Sequence, residues 1–143
     1  MKVKGQSIFE VVIAIGVIGI IISGVVALAT TSIRNSTFTR NKSLAARYAQ
    51  EAVEWMRGER DAGWVTFHTY AGTATYCLDT LAWGNTGACS STETISGTIL
   101  SREITFSGVL PTQVNAAVRV SWTDSQGVHQ VTTSTVLTDW KSR

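Results

Sequence analysis

From Ile8 to Ala29 the chain carries one charged side chain, Glu10, and one other polar side chain, Ser23, in 22 residues. As a helix this run is roughly 33 Å long at about 1.5 Å per residue, enough to cross the hydrocarbon core of a bilayer. A helix from the core of a soluble domain keeps a polar stripe, whereas this segment is apolar all round. A cleaved secretory signal has a shorter apolar region followed by a small-x-small cleavage site; here the run is longer and no convincing site follows it. The expectation is a retained membrane helix with the rest of the chain attached as a domain. Composition agrees: 44% of residues are hydrophobic and only 15% charged, with the apolar excess concentrated at the N-terminus. From Thr30 onward the chain is rich in Thr, Ser, Gly and Ala, which suits one soluble β-rich domain rather than a disordered tail. The net charge of +2 is small and scattered, so direct nucleic-acid binding through a basic face is not expected.

Charge alone does not orient the segment. Lys2 and Lys4 precede it and Arg34, Arg40 and Lys42 follow it, so the positive-inside rule is undecided. Arg34 is a candidate headgroup-level anchor. The two cysteines, Cys77 and Cys89, both lie downstream. In an exported domain their natural reading is a disulfide, which favours an outside C-terminal domain. A zinc site is the alternative, poorly supported by two isolated cysteines without neighbouring histidines.

Met1-Lys-Val-Lys-Gly5, followed by Gln6-Ser-Ile-Phe-Glu10 and an apolar helix, resembles the class III leader of type IV prepilins and type II secretion pseudopilins. The resemblance covers about thirty residues. It implies a prepilin inserted in the inner (cytoplasmic) membrane, N-terminus inside, and cut after Gly5 by a prepilin peptidase that then methylates the amine of Gln6. Most members of that family start the mature chain with phenylalanine, so the Gln6 start leans toward a minor pilin or pseudopilin. An N-terminal glutamine can also cyclise, and methylation would preserve its positive charge. The implied fold is α+β and pilin-like, a long N-terminal helix packed on a C-terminal antiparallel β-sheet, with the first half of the helix spanning the membrane. The implied partners are the peptidase, other pilin subunits, membrane lipid and the pilus or secretion assembly machinery. The expected division is a leader over 1–5, a transmembrane or filament-core helix over 6–29, its extension over 30–58 and an extracytoplasmic β-rich domain over 59–143.

Glu10 costs about 2.5–3.5 kcal/mol near a bilayer centre. After a cut at Gly5 it lies only about 6 Å below the new terminus, where the penalty is smaller. It either meets its own helix N-terminus, whose dipole favours negative charge, or pairs with the terminal amine of a neighbouring subunit and fixes register; the resemblance favours the second. Gly16, Gly19 and Gly24 admit two readings as well, close helix packing or ordinary membrane-helix composition. The proline that many pilins carry farther along this helix is missing from Val25 to Leu28.

Thr30 to Ser43 is made of poor helix formers and reads as a linker by propensity, while the resemblance carries helix through it with a weak middle. Leu44, Ala45, Tyr48, Ala49, Ala52, Trp55 and Met56 then share one helical face, with Gly58 as a plausible C-cap and Arg57 to Gly63 as a charged, solvated loop. Strand signals follow at Trp64–Tyr70, Ala74–Leu78, Thr94–Leu100 and Arg102–Val109, and Pro111 marks a connection. A hairpin closes the chain: Val118, Val120 and Trp122 on one face, a turn over Asp124–Gly127, and a Thr-rich return from Val128 to Leu137. His68 and His129 lie in these strands without a nucleophile at recognisable spacing, and the downstream carboxylates show no calcium-loop pattern. No enzyme activity, metal or cofactor is therefore expected. The rival to a filament subunit is a single-pass anchored binding domain that never polymerises.

Overall fold

The computed structural model describes residues 7–141, in the order α1 (Ile8–Ala62), α2 (Trp64–Ala71), β1 (Thr75–Cys77), β2 (Ser101–Leu110), β3 (Gln113–Asp124) and β4 (Gly127–Thr138). The chain divides into two compact units, 1–40 and 41–143. The architecture is α+β: a 55-residue helix whose C-terminal part packs on a four-stranded antiparallel sheet of order β1-β2-β3-β4.

The helical face read from the sequence is the buried one. Ala45, Ala49, Ala52 and Met56 are fully buried, with Val53 beside them. Opposite them, period-2 alternation on β3 buries Val114, Ala116, Val118, Val120 and Trp122 and turns Asn115, Ala117, Arg119 and Ser121 outward. The β3–β4 hairpin pairs Asp124 with Gly127. Asp124 Oδ1 accepts the Gln126 N–H at 2.7 Å, and Gly127 takes φ +120° to close the turn.

Thr30 to Ser43 is helical throughout. Thr30, Thr31 and Thr39 donate their hydroxyls to the carbonyls of Val26, Ala27 and Asn35 at 2.9, 3.0 and 2.9 Å. The segment is thus helix, as the resemblance implied, and not the linker that propensity alone reads; hydroxyls bonded one turn back slightly weaken a helix without breaking it. Gly58 is not a cap. The helix runs on to Ala62, and Arg57 to Asp61 are helical rather than loop. Arg57 pairs with Glu54 at 2.6 Å, one turn away, which supports the last turns, and Arg60 pairs with its neighbour Asp61 at 2.8 Å.

Two expected strands are absent. Trp64–Tyr70 forms most of α2, which buries Phe67 and Ala71 four residues apart. Trp64 Nε1 donates to Pro111 O at 2.9 Å, and the Thr69 hydroxyl bonds back to Val65 O. Helical spacing lets Phe67 and Tyr70 both reach Trp83, and this packing overrides the β-propensity of the segment. Thr94–Leu100 folds into turns: Ile95 N–H donates to Leu100 O at 2.8 Å, Thr98 N–H returns to Ile95 O, and Gly97 sits at φ +74°. The loop thus buries Ile95 and Leu100 without a strand partner. His68 accordingly lies on α2, while His129 lies on β4 as expected.

The disulfide joins Cys77 to Cys89. The loop it closes carries Trp83 into an aromatic cluster with Trp55, Tyr70 and Tyr76 at centroid distances of 4.4, 5.0 and 5.1 Å. The Trp83 indole donates to Glu59 Oε2 at 2.7 Å.

Candidate functional site

The sequence placed nearly all its functional signal in the first thirty residues. Gly5 and Gln6, the expected cleavage and methylation positions, lie outside the described residues. From Ser7 onward the helix start is explicit. Ser7 Oγ accepts the Phe9 N–H at 3.3 Å and Ser7 O accepts the Glu10 N–H at 2.9 Å. Ser7 therefore caps the helix. The sequence reading passed over it, although Ser-x-x-Glu before an apolar run is a capping-box pattern.

Glu10 is the acidic residue of the first turn. It is exposed, and among the described residues its carboxylate has no hydrogen-bond or ion-pair partner. The dipole at the helix start offers it partial compensation.

From Ile8 to Leu28 the apolar side chains point outward on every side of the helix. Phe9, Ile20 and Leu28 are each about three-quarters exposed, at 73%, 76% and 74%. A soluble protein does not leave so long a continuous apolar surface in water. The helix is long and apolar enough to cross a membrane. Its one hydroxyl within the span, on Ser23, donates to Gly19 O at 2.8 Å, which suits a medium without water. A Cβ added at Gly16, Gly19 or Gly24 meets nothing within 4 Å, so no packing among the described residues requires these glycines. Gly16, Gly19, Ser23, Ala27 and Thr30 recur at helical spacing and fall on one face.

In the domain, sequence reasoning missed two buried charges. Arg102 is 2% exposed and Glu103 7%. Arg102 donates from Nε to Leu78 O at 3.1 Å and from Nη1 to Tyr48 O and Glu51 Oε2 at 3.3 and 3.0 Å. Burial holds its guanidinium below the ordinary arginine value, and the Glu51 carboxylate works in the opposite direction. Glu103 accepts the Cys89 N–H at 2.8 Å and pairs with Arg119, its cross-strand partner. A signal for Arg102 was available: with Ile104 and Phe106 it occupies one face of β2 at period 2. Glu103 belongs to the other face, and its burial depends on Arg119 and the disulfide loop, which no local pattern announces.

These groups tie helix, loop and sheet together. Their arrangement is that of a brace. Among the described residues no three His, Cys, Asp or Glu side chains gather closely enough to hold a metal ion. Comparison with protein-family models, with curated proteins and with solved structures finds no match for this chain.

Proposed function

We propose that this chain is a structural subunit of a type IV pilus-like filament, of the minor-pilin or pseudopilin kind. It enters the inner membrane as a prepilin, is cut after Gly5 and assembles through its N-terminal helix, with the β domain outside. The observation that carries the reading is Glu10, without a partner among the described residues, at the head of an apolar helix exposed on all sides. A carboxylate there is costly in lipid unless a cation meets it. The amine of Gln6 on a neighbouring copy supplies that cation without a further residue. The pair then sets how far one helix is staggered against the next. The small-residue face from Gly16 to Thr30 supports close approach of such helices.

The test is Glu10→Gln in cells that carry a prepilin peptidase. Wild-type chain is expected with a methylated Gln6 terminus in the sheared filament fraction. The variant should be processed equally and remain in the membrane, with incorporation reduced at least tenfold. Equal incorporation of the variant would remove the intersubunit role of Glu10. A chain that keeps Met1 to Gly5 would instead favour a plain membrane anchor carrying a binding domain, and a pyroglutamate at Gln6 would remove the amine from the account.

A further inference from the structure

We propose that Arg34 and Arg40 form a cationic collar that binds the phosphates of anionic lipids where α1 leaves the membrane. The inference rests on reading Ile8–Ala29 as a membrane span. Between Glu10 and Glu51 every charged residue is basic: Arg34, Arg40, Lys42 and Arg47. All four are exposed, and among the described residues none has a carboxylate partner. The cations near the span are therefore not consumed by the fold.

Position along the helix decides which of them reach lipid. Arg34 is five residues past Ala29, about 8 Å at helical rise. A headgroup layer is roughly 5–8 Å thick on each side, so the Arg34 guanidinium lies at phosphate depth. Arg40 is eleven residues past Ala29, about 17 Å along the helix. Its long stem can bend back toward the surface, and the remaining gap is comparable to the Debye length of about 8 Å. Lys42 and Arg47 come later in the sequence and contribute progressively less.

Angular placement favours a surface over a rod. Six residues separate Arg34 from Arg40, a rotation of about 240° at 3.6 residues per turn. The two guanidiniums thus point to different sides of the helix. A lipid surface surrounds the helix and can meet both, whereas a nucleic-acid strand lies along one side. Guanidinium also matches phosphate oxygens in bidentate fashion.

The experiment uses the full chain reconstituted into phosphatidylcholine vesicles with trace spin-labelled phosphatidylglycerol or phosphatidylcholine. The motionally restricted fraction of each label gives the relative association. One cation at the surface is worth about fivefold, so phosphatidylglycerol should be favoured about five- to tenfold, and the preference should collapse in high salt. Arg34→Gln should reduce it to about twofold, Arg40→Gln should reduce it modestly, and Arg47→Gln should leave it unchanged. Restricted lipid of both kinds without selectivity overturns the collar and leaves the span standing. Selectivity that survives Arg34→Gln also overturns it, as does salt-sensitive duplex-oligonucleotide binding weakened equally by Arg34→Gln and Arg47→Gln in place of lipid preference. Absence of restricted lipid of either kind overturns the span and the collar together.

Discussion

Replacing Arg102 by methionine removes the brace while keeping the volume of the side chain. The guanidinium makes three hydrogen bonds, to Leu78 O, Tyr48 O and Glu51 Oε2. Bonds to a charged group contribute about 1.5–3 kcal/mol each. Against them stands the desolvation of a guanidinium that is 2% exposed, itself worth several kcal/mol. What methionine cannot repair is Leu78 O, left inside without its side-chain donor at about 1–3 kcal/mol. The expected net loss for Arg102→Met is about 2–4 kcal/mol. With a urea slope of about 1–3 kcal/mol per molar, the midpoint falls by about 1–2 M. Glu51→Gln provides the contrast. The Glu51 side chain is 50% exposed, so its half of the pair is screened and the loss should stay within about 1 kcal/mol. The assay is urea unfolding of the full chain in detergent micelles, followed by tryptophan fluorescence, because Trp55 and Trp83 lie in the cluster where the disulfide loop meets the helix. An Arg102→Met chain as stable as wild type, or more so, refutes the reasoning: the bonds would then only offset the burial of the charge. Equal losses from Glu51→Gln and Arg102→Met would shift the credit from the two carbonyls to the carboxylate.

Further outcomes follow from particular residues. Gly108 sits at φ +55°, where the β2–β3 register shifts, and a Cβ there would lie 2.6 Å from Asn115 Nδ2; Gly108→Ala should cost about 1–3 kcal/mol in the same urea assay, whereas Gly58→Ala, with open space around it, should stabilise the helix by up to about 1 kcal/mol. The carboxyl of Asp61 is held below its ordinary value by its bonds to Arg60 and then Trp140, that of Glu93 by Asn85 and then Ser90, and that of Asp124 by the Gln126 N–H and then His129. Depressed carboxylates contribute stability that is present above their unfolded pKa and lost as pH falls through the folded one. The urea midpoint should therefore be flat above about pH 5 and decline below about pH 4. Trp140 fluorescence, sensitive to its bond to Asp61, should change over the same range, and a midpoint that rises on acidification contradicts the assignment.

The hydrophobic pattern made much of this fold legible. A 22-residue apolar run, the alanine face from Ala45 to Met56 and the alternation from Val114 to Trp122 each follow from local spacing, because burial imposes periods of 3.6 and 2 on the chain. The disulfide was readable from two downstream cysteines, given the expectation of an exported domain. Where the reading failed, the deciding contact was a tertiary one in one stretch and a local turn in the other. The stretch Trp64–Tyr70 has the residues of a strand and became a helix because Phe67 and Tyr70 meet Trp83 from the disulfide loop. Thr94–Leu100 became turns because Ile95 bonds Leu100 within its own loop.

The same division holds for the apolar segment. Its length, its apolar character and the isolation of Glu10 are properties of sequence, since a span needs only enough consecutive apolar residues. Tertiary structure decided what the sequence left open downstream: that Arg102 and Glu103 are buried, that they join helix to loop and strand to strand, and that Trp83 organises an aromatic cluster. Buried charges are tolerated only where several elements converge to satisfy them. That convergence is a property of the folded chain and of no single stretch of it.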